Sequence, residues 1–150
     1  NTSTRALSPV WQRLRPAAWP ALAAIAAGWG SEQAESRILA LSSAAAARHA
    51  TVLAAWQRLA QQHPVSRANA LRQLFAAARA GLPPGRPASP ALVVASAGDR
   101  LVDPRCSRAL AHHWGCGLAW HGSAGHDLAL DDGPWLAATV AAFDARLPPA

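Results

Sequence analysis

The stretch Ala91-Leu-Val-Val-Ala95-Ser-Ala-Gly-Asp99-Arg-Leu-Val-Asp-Pro104 decides the fold. Its first five residues form a short, continuous apolar run, which is typical of a strand buried on both faces in a parallel sheet. Pro104 fits the first position of a helix, because proline has no backbone N–H to leave unsatisfied there. Gly117-Leu-Ala-Trp120 predicts a second strand. Strand, helix and strand in this order predict an α/β fold with parallel strands.

Two helices complete the predicted C-terminal half. One face of the first, between Pro104 and Trp114, is predicted to carry Cys106, Ala109, Leu110 and His113. Pro134 is predicted to open the second, in which Leu136, Val140, Phe143 and Leu147 recur at helical spacing. Two parallel strands are too few for a stable sheet, so we expect further strands to come from outside these 150 residues.

The half of the chain before the Pro/Gly-rich stretch 81–90 has the patterns of helices. Ser31 and Ser66 are predicted N-caps, and Pro16 and Pro20 are expected to break a helical segment between Trp11 and Gly28. A further helix is predicted from Ala44 to Gln62, with Val52, Leu53, Trp56 and Leu59 on one face. The helix that follows Ser66 carries Leu71, Leu74 and Phe75, and Gly81 is expected to end it in the left-handed conformation.

Composition excludes several classes of protein. The 150 residues are 51% hydrophobic and 15% charged, which excludes a disordered charged tail. The longest apolar stretch, 21–27, is far too short to cross a bilayer, and the sequence after Asn1 does not resemble a signal peptide. Because two cysteines, Cys106 and Cys116, cannot build a disulfide framework, we expect a cytoplasmic location. Since the sequence contains no methionine, we also expect a processed chain or a piece of a longer one.

The positive charge does not indicate a nucleic-acid partner. The formal net charge is +6 and the pI is about 11.4, but every basic residue is an arginine and the arginines are scattered along the chain. A chain without lysine, tyrosine or methionine is typical of a GC-rich genome. A nucleic-acid-binding domain would instead concentrate its positive charge on one face. We therefore expect neither a nucleic-acid nor a membrane partner.

Two loops carry the candidate chemistry, because each follows a predicted strand at the edge where open α/β sheets bind ligands. Asp99 follows the first strand and His126 follows the second. In that order they fit the orienting acid and the general base of a Ser-His-Asp triad. Each residue has an alternative, purely structural role: Asp99 could cap a turn and do nothing more, and His126 could be an ordinary loop histidine. Asp103 is the competing acid, although its place before Pro104 suits a helix cap better.

The other polar residues near these loops are expected to have structural roles. Asp127, Asp131 and Asp132 are predicted to cap turns and the last helix. The histidines and cysteines do not have the spacing of a metal site: Cys106, His112, His113, Cys116, His121 and His126. Cys106 is expected to be a small buried apolar residue. Trp11, Trp19, Trp29 and Trp56 are predicted to pack between the helical half and the sheet.

The sequence resembles the C-terminal portion of the α/β-hydrolase fold family, particularly its bacterial esterase-like members. Asp99-Arg-Leu-Val-Asp-Pro-Arg-Cys-Ser, Gly125-His126-Asp127-Leu128 and a terminal helix carry the resemblance. Asn1-Thr-Ser, Ser8-Pro-Val-Trp-Gln-Arg-Leu-Arg-Pro16 and Pro64-Val-Ser-Arg-Ala-Asn-Ala-Leu-Arg-Gln73 resemble the end of a core strand, the entry to the lid, and a lid helix. The resemblance implies that residues 1–88 are a strand end with a mainly helical cap. Residues 89–150 would then be the last two strands of the core sheet and their helices.

The resemblance also implies an activity, which is hydrolysis of an ester or other acyl bond in a small-molecule substrate. Asp99 and His126 would be the acid and base of the triad, and neither a metal nor an organic cofactor would be needed. The nucleophile elbow G-x-S-x-G is missing, because the closest segments, 94–98 and 121–125, depart from it. We therefore expect the nucleophile upstream of Asn1 and expect this chain alone to be inactive without the N-terminal half of the fold. The alternatives are a non-catalytic helical interaction protein, or a dehalogenase or epoxide hydrolase with an aspartate nucleophile.

Overall fold

The computed structural model describes residues 2–82 and 85–147. Asn1, at the predicted strand end, and Pro83 and Pro84 of the predicted linker lie outside the described residues. The described helices are α1 Val10–Arg13, α2 Trp19–Ala27, α3 Glu32–Ser42, α4 Ala50–Gln62, α5 Arg67–Arg79, α6 Arg105–Trp114 and α7 Leu128–Asp144. The described strands are β1 Leu92–Ser96 and β2 Gly117–His121.

The two strands pair in parallel, as the sequence predicts. Their register runs from Leu92 opposite Gly117 to Ser96 opposite His121, and α6 makes the crossover between them. A small core forms where Val93 of β1 meets Leu110 and Ala111 of α6. The chain therefore has an α/β fold, with a two-stranded parallel sheet among its described residues.

Helix α6 buries a different face from the one predicted. Its buried residues are Cys106, Ser107, Leu110 and Ala111, whereas the predicted face member His113 is exposed. At about 100° per residue, this stripe is centred roughly a quarter turn away from His113, which explains the error. The helix ends at Gly115, whose φ of +60° is the left-handed conformation that glycine adopts easily.

The two predicted N-caps in the helical half are confirmed. The side chain of Ser31 accepts a hydrogen bond from the amide of Ala34, and that of Ser66 accepts one from the amide of Asn69. The helix expected from Ala44 begins only at Ala50, after a 3₁₀ turn over Ala46–Arg48. The reason is that residues 43–45 are used in other hydrogen bonds.

Gly81 does not end α5 in the left-handed conformation. The helix ends at Arg79, and the described glycines with positive φ are Gly30, Gly85 and Gly115. The chain leaves the helix through Ala80, which has φ −54° and ψ +119°. The turn therefore needs no glycine at this point.

Several large apolar side chains of the helical half are exposed. Leu71, Leu74 and Phe75 are each more than half exposed along α5. Trp11 and Trp19 are also exposed, so the prediction that they pack between the helical half and the sheet is wrong for these two. The described sheet has two strands, which is too narrow to cover every apolar face. Trp29 is partly buried and donates its indole N–H to the carbonyl oxygen of Val65 at 2.8 Å, and Trp56 is partly buried.

Helix α7 consists of two helical segments separated by Asp132, whose φ of −150° and ψ of +69° are not helical. Asp132 Oδ1 accepts a hydrogen bond from the amide of Trp135 at 3.0 Å, so the second segment begins around Pro134 as predicted. Val140 is exposed, contrary to its place on the predicted apolar stripe. In the part of the chain that is described, no helix has the length and apolar character needed to cross a bilayer.

Candidate active site

Asp99 and His126 meet at the carboxyl ends of the two strands. His126 Nδ1 lies 2.8 Å from Asp99 Oδ2, within hydrogen-bond distance. The side chain of Asp99 is 0% exposed, whereas that of His126 is 31% exposed. The two residues meet because parallel strands place their carboxyl ends, and the loops that follow them, at one edge of the sheet. The arrangement fixes one nitrogen of the imidazole and leaves part of the ring accessible from outside.

The second oxygen of Asp99 organises its own loop. Oδ1 accepts hydrogen bonds from the amides of Leu101 at 2.7 Å and Val102 at 2.9 Å. A buried carboxylate is tolerated only when such donors replace its hydration. Asp99 therefore caps a turn and contacts the histidine at the same time, so the two interpretations of this residue from sequence are compatible.

The Asp99 loop and the His126 loop are in close contact. Ala97 donates its amide to the carbonyl oxygen of His121 at 2.9 Å, and the Ser96 hydroxyl donates to the carbonyl oxygen of Ala124. A Cβ atom added at Gly98 would collide with the carbonyl oxygens of Ser123 and Ala124. Only glycine allows this approach, which sets the distance between the two loops.

The helical half holds the Asp99 loop from the other side. The amide of Arg15 donates to the carbonyl oxygen of Leu101 at 2.9 Å, and its guanidinium donates to the carbonyl oxygen of Asp99 at 2.7 Å. The amide of Asp103 donates to the carbonyl oxygen of Gln12 at 2.8 Å. Helix α1 and the segment that follows it are thus bonded directly to the loop that carries the candidate acid.

Asp131 anchors the histidine loop, a role that the sequence did not indicate. Its side chain is 4% exposed and accepts hydrogen bonds from the Ser43 hydroxyl, the amide of Ala44 at 2.8 Å and the amide of Gly125 at 2.6 Å. Burial by itself raises the pKa of Asp131, but the hydrogen bonds from Ser43, Gly125 and Ala44 outweigh it and hold the pKa below its usual value. His49 Nε2 lies 3.5 Å from Oδ1, at the limit of a useful contact.

The chain is therefore held on both sides of His126. Gly125 donates to Asp131, and the amide of Asp127 donates to the carbonyl oxygen of Ser42 at 2.9 Å. A Cβ atom at Gly125 would lie 2.6 Å from that same Ser42 oxygen, so the close approach requires glycine. The end of α3 thus fixes the position of the histidine loop. Asp131 has a structural role, as predicted, but it accepts from Ser43, Ala44 and Gly125.

A protein-family model described as serine hydrolase matches residues 11–137. This chain belongs to the serine hydrolase family. The match includes most of the helical half as well as both strands and the Asp99 and His126 loops. No curated protein and no solved structure matches the chain significantly. Family membership identifies the protein as a hydrolase.

Asp103 has a different partner in this serine hydrolase. Its carboxylate accepts hydrogen bonds from the amide of Arg105 at 2.9 Å and from the Arg105 guanidinium at 2.6 Å. The side-chain hydrogen bond from Arg105 lowers the pKa of Asp103. Asp103 thus accepts from the first amide of α6, although the residue at the N-cap position is Pro104 and not Asp103 as predicted. Asp127 is a cap as predicted, since its Oδ1 accepts from the amide of Leu130 at 3.2 Å.

A second histidine and carboxylate pair supports the turn before His126. His121 Nδ1 accepts hydrogen bonds from the amides of Ser123 at 3.2 Å and Ala124 at 2.8 Å, so its proton resides on Nε2. Nε2 lies 3.2 Å from Asp132 Oδ2, and the side chain of Asp132 is 41% exposed. The hydrogen bonds from the Trp135 amide and His121 lower the pKa of Asp132.

The histidines and cysteines of the serine hydrolase are dispersed through the fold. His112 and His113 are exposed on α6, while His121 and His126 pair with different carboxylates. Cys106 is buried, as predicted, and burial raises the pKa of its thiol. Across residues 2–82 and 85–147, no group of three or more His, Cys, Asp or Glu side chains is placed to hold a metal ion.

Proposed function

We propose that this serine hydrolase cleaves an ester or other acyl bond with a Ser-His-Asp triad, in which Asp99 is the orienting acid and His126 is the base. The observation that carries the proposal is the 2.8 Å contact between His126 Nδ1 and the buried carboxylate of Asp99. An acid that is buried and bonded by two amides cannot rotate away, so it holds the imidazole in one orientation and one tautomer.

The reaction follows from that tautomer. His126 keeps its proton on Nδ1 and donates it as a hydrogen bond to Asp99. Nε2 of His126 then accepts the proton of the serine hydroxyl as the serine oxygen attacks the acyl carbon. The resulting imidazolium is stabilised by the Asp99 carboxylate. It then protonates the leaving alcohol as the bond between the acyl carbon and that oxygen breaks. Water repeats the sequence on the acyl-enzyme, and His126 again accepts and returns the proton.

The proposal places the nucleophile outside these 150 residues, on an elbow that belongs to the N-terminal half of an α/β-hydrolase core. In support, no segment of the sequence has the G-x-S-x-G pattern between a strand and a helix. The two described strands also need neighbours, since a pair of parallel strands is not stable by itself. Residues 1–88 would then form the cap and residues 89–150 the end of the core. The unpaired Cys106 and Cys116 are compatible with a cytoplasmic enzyme.

The test uses the protein expressed from its complete coding sequence and a fluorophosphonate probe, which reacts with activated serines. We expect one labelled serine, identified by peptide mass spectrometry outside residues 1–150. His126→Ala should abolish both labelling and hydrolysis of 4-nitrophenyl acetate. His113→Ala is the matched control, because His113 is exposed on α6, and it should retain both activities.

Two outcomes would contradict the proposal. Labelling that survives His126→Ala would remove the histidine from the mechanism. A folded protein that neither reacts with the probe nor hydrolyses acyl substrates would favour an aspartate nucleophile or a non-catalytic protein. Turnover of haloalkanes or epoxides by the same sample would separate these two alternatives.

A further inference from the structure

A cavity of about 630 Å³ adjoins the Asp99 loop, and its lining is both apolar and positively charged. Its wall on the sheet side consists of residues 97–100, and its opposite wall consists of small residues of α2 and α3 together with Leu41. Three arginines line it: Arg15, Arg37 and Arg100. The volume is within the range of sites that hold small molecules.

The charge in this cavity is not balanced by the acid beside it. Asp99 is the carboxylate residue among the lining residues, and its side chain is 0% exposed. Oδ1 accepts hydrogen bonds from two amides and Oδ2 contacts His126, so both oxygens have partners that do not line the cavity. The surface that the cavity presents to a ligand is therefore cationic at the arginines and apolar at the alanines of α2 and α3.

One of the arginines, Arg15, is held beside the cavity by a hydrogen bond, and a second, Arg37, lies near the end of α2. Arg15 donates from its guanidinium to the carbonyl oxygen of Asp99 at 2.7 Å, which fixes it next to the candidate acid. The Arg37 guanidinium lies beside Gly28, the residue that ends α2, where the helix dipole favours a positive charge. Planar guanidinium groups suit carboxylate and phosphate oxygens.

We propose that this cavity binds the acyl part of the substrate and that this acyl group carries a negative charge, as in the half ester of a short dicarboxylic acid. The inference rests on the proposed acyl hydrolysis and names its substrate class. The alanines leave room for a short methylene chain, and the arginines pair with the anion at its end. The cavity adjoins the loop that carries Asp99, the proposed acid of the triad.

The first experiment compares two esters with the protein expressed from its complete coding sequence. The substrates are 4-nitrophenyl hydrogen glutarate, which is anionic, and 4-nitrophenyl pentanoate, which is neutral and of similar length. We expect a higher kcat/KM for the anionic ester, and we expect Arg37→Gln to lower the anionic-to-neutral ratio by about five- to tenfold. Arg37→Lys, which keeps the charge, should retain part of the preference.

Arg58→Gln is the matched control, since Arg58 is exposed on α4 and does not line the cavity. It should leave the ratio unchanged. The proposal is overturned if the wild type prefers the neutral ester, or if the ratio of Arg37→Gln equals that of Arg58→Gln. If Arg37→Gln does not fold, as judged by circular dichroism, Arg37→Lys takes its place. An anionic-to-neutral ratio below that of wild type then supports the proposal, and a ratio equal to that of wild type overturns it.

A binding measurement separates this proposal from the proposed activity. If neither ester is hydrolysed, the acyl hydrolysis fails, and calorimetric titration of the same proteins with glutarate then tests the cavity. Glutarate binding that Arg37→Gln weakens about five- to tenfold, and Arg58→Gln does not weaken, supports an anion site. No glutarate binding by the wild type, or equal binding by both variants, overturns it.

Discussion

Two histidine and carboxylate pairs lie within a few residues of each other in this serine hydrolase, and they differ in what surrounds the carboxylate. In the pair of His126 and Asp99, the acid is 0% exposed and two amides bond its second oxygen. In the pair of His121 and Asp132, the acid is 41% exposed and its second oxygen caps a helical segment. The contact distances, 2.8 Å and 3.2 Å, distinguish the pairs less clearly than burial does.

Burial is therefore the feature that separates Asp99, the acid proposed to orient a catalytic histidine, from Asp132. A buried carboxylate with fixed donors holds its histidine rigidly, whereas an exposed carboxylate is screened by water and moves freely. The histidine roles differ accordingly: the His121 ring accepts backbone amides and supports a turn, while His126 projects from a loop held on both sides.

Asp99→Asn should have the largest effect on activity. The amide side chain has the same shape, but it removes the charge that stabilises the imidazolium and favours the wrong histidine tautomer. By analogy with serine proteases, kcat should fall by about three to four orders of magnitude. Steady-state hydrolysis of a 4-nitrophenyl ester by the full-length protein measures this fall in kcat. Retention of more than about a tenth of the activity would exclude Asp99 as the acid and direct attention to Asp103.

Asp131→Asn should reduce kcat about ten- to hundredfold, because a small displacement of a reacting group has effects of this size. The amide cannot accept from Ser43, Ala44 and Gly125 with the strength of a carboxylate, so the His126 loop should lose its fixed position. KM should change much less than kcat. Asp127→Asn is the control, since asparagine also caps helices well. Equal losses in the two variants would limit Asp131 to a general structural role.

Gly98→Ala should destabilise the fold by about 1–3 kcal/mol, the usual cost of overpacking a close contact. The added Cβ would collide with the carbonyl oxygens of Ser123 and Ala124 and push the two site loops apart. Gly122→Ala, in the same region but with open space around it, should have little effect. Urea denaturation measures the free energy of unfolding of both variants. Similar stability of the two alanine variants would show that the loops are not packed as described.

Acid should weaken the hydrogen bonds that Asp131 accepts. Its hydrogen bonds hold its pKa below the ordinary value of 3.8, so the folded state binds a proton less readily than the unfolded state. The stability that this carboxylate contributes is full above pH 3.8 and is lost as the pH falls through the lowered pKa of the folded state. Urea unfolding between about pH 5 and pH 2 should show a steeper fall for wild type than for Asp131→Asn. Equal falls in the free energy of unfolding for wild type and Asp131→Asn would contradict this role of the Asp131 carboxylate.

Asp132→Asn should have the smallest effect. Asparagine retains the cap on Trp135, and the lost charge is largely exposed to water. We expect kcat/KM to stay within about threefold of wild type, as is usual for an exposed ion pair. Measuring kcat/KM for Asp99→Asn under the same conditions shows directly how much more activity depends on Asp99 than on Asp132. A large loss in Asp132→Asn would mean that the two pairs act together.

The sequence predicted the elements that depend on local patterns. The parallel pair of strands, the Ser31 and Ser66 caps and the position of Pro134 all follow from short-range preferences. The meeting of Asp99 and His126 was predictable as well, because parallel strands bring their carboxyl ends together. Local rules therefore located both of these side chains.

Contacts between distant segments could not be predicted in this way. Asp131 is bonded to Ser43, which is 88 positions away, and nothing in the spacing of either residue indicates a partner. Exposure was also misjudged, as for Trp11, Trp19 and Val140, because periodicity shows which side chains share a face but not whether another element covers that face. An adjacent pair of aspartates, Asp131 and Asp132, gave identical local signals and has different roles.

The separation of these contacts along the chain sets an expected order of folding. Asp99 and His126 are 27 positions apart, whereas the bond from Ser43 to Asp131 closes a loop of 88 positions. Longer loops cost more entropy to close and delay the contacts that depend on them. The strands and their two loops should therefore associate first, and the docking of α3 should follow. During refolding, the fixed position of the His126 loop would then appear after most of the secondary structure has formed.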